Sequence, residues 1–127
     1  MIEAAIIKTI KTCYSNAYLG FLPEGTSNGV VVSVLSTRAL PLLKRTELRR
    51  RDAIINLKIF GASVIEAKDI QHKLMRLFDG VKIDVDARGY RYEMVINVVN
   101  ANDMFLGTDK FSQLDISVIY YEYPIIK

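Results

Sequence analysis

Residues 61–80, GASVIEAKDIQHKLMRLFDG, decide how the rest of the chain is read. Ser63 followed three residues later by Glu66 is a capping box, in which each side chain satisfies a backbone N–H that a helix start leaves unpaired. Asp69 adds negative charge towards that end, and Lys73 and Arg76 add positive charge towards the other, so both ends suit the helix dipole. Gly80 stands where a left-handed C-terminal cap belongs. Ala67, Ile70, Leu74 and Leu77 recur at three- and four-residue steps, with Met75 and Phe78 widening the stripe. The pattern predicts a helix of about four turns, roughly 24 Å long, with one face buried. The other strong patterns are mostly strand. The resulting fold class is α+β, a mainly antiparallel β-sheet packed against two α-helices.

Around this helix the chain reads as one domain, 127 residues long and large enough for a real core. No apolar run approaches the ~20 residues of a membrane span. The start, MIEAAIIKTIK, lacks the uninterrupted apolar segment and small-residue cleavage site of a signal peptide. Its single cysteine, Cys13, excludes an internal disulfide, suits a reducing compartment or a virion interior, and is expected to be a buried, inert thiol.

Residues 2–14 read as a first helix, with Ile2, Ile6, Ile10 and Cys13 on one side. Residues 16–28 carry Gly20, Pro23, Gly25 and Asn28 and read as a loop. Tyr18, Leu19, Phe21 and Leu22 are too apolar to be free and are expected to pack on the sheet or on a partner. Residues 30–36 are β-branched and short, as a buried strand should be. Pro41 interrupts a second candidate strand, at an edge, a bulge or a bend. Residues 52–60 alternate Ile55, Leu57 and Ile59 against Ile54, Asn56, Lys58 and Phe60. Val81, Ile83 and Val85 alternate with Lys82, Asp84 and Asp86, and Arg88-Gly89 makes a turn. Tyr92, Met94, Ile96 and Val98 share one strand face. Residues 100–110 read as a loop. Residues 111–123 form a long strand with Leu114, Ile116, Val118 and Tyr120 on one side.

The second faces of these strands are not properly polar. Val31, Leu35, Ile54, Phe60, Val95, Val99, Ile119 and Tyr121 would be exposed if only one side of the sheet were covered, and two helices cannot cover both. Either subunits bury that face between them, or the sheet curls and hides it.

The inventory for chemistry is thin. His72, the only histidine, sits on the polar side of its helix beside Lys68 and Lys73 and reads as a solvated residue. No phosphate-cradling glycine loop or zinc spacing is present in the sequence. Asp84, Asp86 and Gly89 match positions one, three and six of a calcium loop. Arg88 and Val95 occupy its fifth and twelfth positions, where oxygen ligands are required, so the strand–turn reading stands. Asp84 and Asp86 read as solvated strand carboxylates rather than an acid–base pair. No catalytic, cofactor or metal residues are assigned.

The best local signal is the window 44–51, KRTELRRR, with five bases, Lys44, Arg45, Arg49, Arg50 and Arg51, against one acid. It carries +4 of the chain's net +3, leaving the remainder at −1. It belongs on an exposed loop or hairpin tip, where it could meet phosphates or an acidic partner. A solvated loop is the bland reading. A module that grips nucleic acid alone shows a wider basic face with stacking aromatics, which this window lacks.

The order of elements resembles the tail terminator family of tailed bacteriophages, also called tail completion or minor capsid proteins. The resemblance runs over most of the chain: an opening helix, the strand at 30–35, a basic hairpin, the strand ending Ile59-Phe60-Gly61, the helix at 63–79 and a closing pair of strands. Its most specific part is Leu106-Gly107-Thr108-Asp109 ahead of a last strand, Asp115-Ile116-Ser117-Val118-Ile119-Tyr120-Tyr121-Glu122. The resemblance implies a virion subunit that assembles with itself into a six-membered ring at the head-proximal end of the tail. Such a ring ends polymerisation of the tail tube protein and presents a docking surface to the head connector and neck proteins. DNA would pass through its lumen without sequence-specific binding, with no reaction, cofactor or membrane involved, and the host cytoplasm would be the place of assembly. It further implies that the strands and the loop at 106–109 meet the neighbouring subunit and tube, with Val95, Leu106, Gly107, Asp109, Ile119 and Tyr121 as candidate interface residues. The basic hairpin would face the lumen or an adjoining ring. Two alternatives stay open: a nucleic-acid-binding accessory protein acting through the basic window, and a small enzyme or ligand-binding domain with a pocket between helix and sheet.

Overall fold

The organising helix forms where its caps place it. The computed structural model describes residues 1–41, 49–106 and 109–125. In chain order the elements are α1 (Ile2–Ile10), β1 (Ala17–Leu19), β2 (Gly29–Pro41), β3 (Arg49–Phe60), α2 (Val64–Phe78), β4 (Val81–Ala87), β5 (Tyr90–Leu106) and β6 (Asp109–Pro124). Ser63 Oγ accepts the Glu66 backbone N–H at 3.1 Å, and the Glu66 carboxylate accepts the Ala62 N–H at 3.2 Å. Gly80, at φ +68°, provides the left-handed exit behind Asp79. The fold is α+β: a mixed, mainly antiparallel sheet packed against two helices.

The sheet has six strands in the order β1-β2-β3-β6-β5-β4. All neighbours are antiparallel except β1, which pairs parallel to β2. Both helices lie on one side. Ile6 and Ile10 of α1 and Leu74 and Phe78 of α2 share a single core with Val32, Ile55, Leu57, Ile96 and Ile116, all fully buried.

The sheet is strongly curved. A flat sheet of six strands would be about 24 Å across, from its ~4.8 Å strand spacing, wider than a helix of ~10–12 Å. Yet α1 packs against β1 and β2 at one edge and β4 at the other. The cause is visible in the register. Val34, Ile55, Ile116 and Val98 form one rung across β2, β3, β6 and β5. Both β-bulges fall beside it, between Val34 and Ser36 and between Val98 and Asn100. An extra residue on one strand of a pair bends that strand and raises its twist. The concave side holds both helices, and among the described residues the convex side carries no helix.

Several elements depart from the sequence reading. The first helix stops at Ile10 rather than running to residue 14. Thr9 Oγ1 donates to the Ala5 carbonyl at 2.8 Å and Thr12 Oγ1 to the Thr9 carbonyl at 2.7 Å, so hydroxyls compete for the carbonyls of the last turn. Cys13 therefore lies in the turn beyond and is exposed, not buried. Partial desolvation still pushes its thiol pKa up, partly opposed by Lys73. The segment read as a loop at 16–28 contains β1, stitched to β2 by Val30 N–H to Asn16 O at 2.8 Å and Gly20 N–H to Val32 O at 3.0 Å. Within it Tyr18 and Leu22 are half-buried, whereas Leu19 and Phe21 stay exposed, Phe21 at 73%. The described part of β2 runs on through residue 40 to Pro41, in register with Arg49 of β3, with no break before it.

Residues 100–106 and 109–110 are strand rather than loop. The bulge at Val99 reverses the alternation, so the polar run Asn100-Ala101-Asn102-Asp103 continues the ladder. Asp103 is then held from α2 by Lys68 Nζ at 2.6 Å and from β6 by Ser112 Oγ at 2.9 Å. Gln71, polar but buried inside the helical stripe, donates to the Asn102 carbonyl at 3.2 Å and to the Gln113 carbonyl at 2.7 Å. These contacts fasten the far half of the β5–β6 hairpin to α2.

Candidate subunit interface

Strand alternation places Val31, Ile54, Asn56, Lys58 and Phe60 on the convex face, with Asp115, Ser117, Ile119 and Tyr121 of β6 and Val95 of β5. Val95 and Ile119 are direct cross-strand partners. Lys82 lies beyond Val95 on β4 and Asp52 beyond Ile119 on β3. Ile54, opposite Ser117, and Tyr121, opposite Glu93, complete an apolar cluster at one end of this face. Val95 is 43% exposed, and Ile54, Ile119 and Tyr121 are half-buried. Tyr123 stacks beside Tyr121, with centroids 6.5 Å apart. Its hydroxyl donates to Glu93 at 3.2 Å, and burial together with that carboxylate pushes its pKa up. The two bulge residues, Leu35 and Val99, are 61% and 59% exposed.

The middle of the face differs from the sequence expectation. Asn56 Nδ2 donates to Gln113 Oε1 at 2.9 Å and to Asp115 Oδ1 at 2.7 Å. This network makes a satisfied polar belt that needs no partner. Val31, expected on an open face, is buried within the chain at 4% exposure. At the far end Phe60 packs on Phe111, 5.2 Å between centroids, with Lys58 Nζ 5.6 Å from the Phe111 ring centre. The convex face thus carries two apolar ends separated by a hydrogen-bonded polar strip.

The remaining candidate residues do not join this patch. Leu106 and Asp109 are register partners on the last rung of the β5–β6 hairpin. Eleven residues separate Leu106 from Val95, roughly 36 Å at strand rise. Gly107 lies outside the described residues. The basic window falls at the opposite end, where pairing between β3 and β6 stops at Arg51 and Tyr120. Lys44 and Arg45 lie outside the described residues, and Arg49, Arg50 and Arg51 belong to β3 rather than to a loop. Alternation divides Arg50 from Arg51. Arg50 Nε sits 3.6 Å from Asp52 Oδ1, whereas Arg51 is the register partner of Tyr120 on the helix side. There it lies near Glu3 and Glu122 around a shallow pocket. Burial pushes the Tyr120 pKa up, opposed by the neighbouring Arg51. The described part of the window is therefore no single basic patch.

Among the described residues, no three of His, Cys, Asp or Glu come together as a metal site, and no helix is long and apolar enough to cross a membrane. His72 is exposed on α2, and Asp84 and Asp86 are exposed on β4. The sequence reading missed the Asn56–Gln113–Asp115 belt and Gln71. The belt depends on cross-strand register and Gln71 on how α2 seats over β5 and β6, and neither leaves a linear spacing to read.

Comparison with solved structures finds a similar chain in the virion of a native gene transfer agent particle. The TM-score is 0.49 and the identity 15%, over 91% of this chain and 83% of that one. No family model and no curated protein matches the chain.

Proposed function

We propose that this chain is a structural subunit of a phage-type virion. Copies join into a ring, six in number by the family resemblance, at the head-proximal end of a tail tube. The ring ends tube polymerisation and offers a docking surface to the head connector, and DNA crosses its lumen without base-specific contact. The observation that carries the reading is the Val95–Ile119 cluster, an apolar end of the convex sheet face that no element among the described residues covers. Such a patch marks an interaction site on a soluble surface. The Arg50–Asp52 pair weighs against the nucleic-acid alternative, because it spends part of the basic window's charge within the chain.

Light-scattering mass measurement on the purified protein, alone and with tail tubes, tests this. The expected result is a ring, either free or formed on the tube, that is lost in Ile119→Glu while the monomer still unfolds cooperatively at its original midpoint. A monomer under every condition refutes the reading. So does an Ile119→Glu chain that unfolds while its assembly persists, since Ile119 would then be core.

A further inference from the structure

The side of the molecule opposite the convex face carries a second feature, which the virion reading does not use. A groove of about 540 Å³ runs along the outer side of α1, within the ~300–1,000 Å³ range of ligand sites. Its apolar lining comes from Met1, Ala4 and Ile7, with Leu19 of β1 and Ile125 beyond β6. Met1, Leu19 and Ile125 are 45%, 42% and 39% exposed, so three of the chain's exposed large apolar side chains gather here. Among the described residues, Lys8, Lys11 and Arg88 also line it, against a single acid, Asp86. Lys8 Nζ is held by the Asp86 backbone carbonyl at 2.5 Å, which leaves the Asp86 carboxylate out of that contact.

Arg88 is the second observation. It is the only non-glycine with positive φ among the described residues, at +50°, and Gly89 follows at +83°. Two positive φ values in a two-residue hairpin loop are the type I′ geometry, for which Asn-Gly is the favoured pair. An arginine there is strained by about 1–2 kcal/mol relative to an ordinary conformation. Strain of this kind points to a use for the side chain beyond the turn.

We propose that the α1 groove is a docking site for a partner polypeptide segment that carries acidic side chains among apolar ones. The apolar lining takes the aliphatic or aromatic groups, and Lys8, Lys11 and Arg88 meet the carboxylates. Charge complementarity selects this occupant, with three cations to one anion around an apolar lining. The groove is open along the helix rather than enclosing, which suits an extended or helical segment over a small molecule that must be mostly buried. The site lies on the helix side of the sheet, so it stands or falls independently of the convex-face interface.

The test is selection of random twelve-residue peptides displayed against the whole protein, followed by fluorescence anisotropy and amide chemical-shift mapping with the selected peptides. The expected winners combine Asp or Glu with Leu, Ile or Phe, bind more weakly as salt rises, and shift the amides of Ala4, Ile7 and Leu19. Arg88→Asn should weaken binding about threefold, and Lys11→Ala added to it about tenfold, the scale of exposed ion pairs. Because asparagine suits the turn, Arg88→Asn should keep or raise the thermal midpoint, separating a ligand role from a structural one. Basic or neutral winners, shifts at Val95 and Ile119 instead, or unchanged affinity in Arg88→Asn would each overturn the proposal. A selection without binders, while laurate shifts the groove amides, would assign the site to a small anionic amphiphile and overturn it equally.

Discussion

Truncation along α2 measures which stripe of the helix holds the fold. Leu74 is fully buried, Leu77 is half-buried at the margin of the core, and Ile65 is 74% exposed. Leu74→Ala removes three carbons, about 2.4 kcal/mol at ~0.8 kcal/mol per buried methylene. The cavity left under β3, β5 and β6 adds to that, for a total of roughly 3–4 kcal/mol. Leu77→Ala, with its side chain only partly withdrawn from water, should cost about 1 kcal/mol. Ile65→Ala should change stability by less than about 0.5 kcal/mol and can be stabilising, since alanine is the better helix former. Urea denaturation followed by circular dichroism reads the series. With a slope of about 2 kcal/mol per molar, the Leu74→Ala midpoint should fall by roughly 1.5–2 M at unchanged slope. A larger fall for Leu77→Ala than for Leu74→Ala, or an unmoved midpoint in Leu74→Ala, would refute the placement of α2 on the sheet.

Two further outcomes rest on the polar contacts. The Lys68 ammonium, hydrogen-bonded at 2.6 Å, holds the Asp103 carboxyl below the usual carboxylate range despite some opposing desolvation, with Ser112 helping. A lowered folded pKa contributes stability that is present above the unfolded value near 4 and is lost as pH falls through the folded one. Wild-type protein should therefore lose more stability than Asp103→Asn between about pH 5 and pH 3, and parallel urea curves across that range would contradict the assignment. Cys13, exposed but with a raised pKa, should react fully with a thiol reagent in the native state, more slowly at pH 7 than a free cysteine peptide. Labelling that requires urea would restore the buried reading.

Local chemistry written in short spacings is legible in the sequence. The Ser63–Glu66 box, Gly80, the Arg88-Gly89 turn and the alternation of 52–60 and 81–86 stand where their spacing puts them, and that of 92–99 holds up to the bulge at Val99, because caps, turns and pleats depend on near neighbours along the chain. The helix stripe is centred one step from where the apolar residues alone place it. Gln71 falls outside the apolar pattern yet is buried, and Leu77 falls within it yet is only half-buried. A buried glutamine is acceptable only when acceptors are waiting for it, and those belong to Asn102 and Gln113, far along the chain. The interface candidates show the same divide. Val95, Ile119 and Tyr121 share a patch because strand parity is a local property, whereas Leu106 and Asp109 lie at the other end of the ladder.

From the order of residues alone came an α+β chain with one well-capped helix, amphipathic strands, and more apolar strand surface than two helices can cover. Tertiary structure decided that both helices share one side, that bulges at Leu35 and Val99 bend six strands around α1, and that Asp103 continues a strand rather than a loop. It also decided that Lys11, Leu19 and Arg88, scattered through the sequence, line one groove. The physical reason is that capping and alternation act within a few residues. Curvature, cross-strand register and the satisfaction of buried polar groups are set between segments that meet only once the chain has folded.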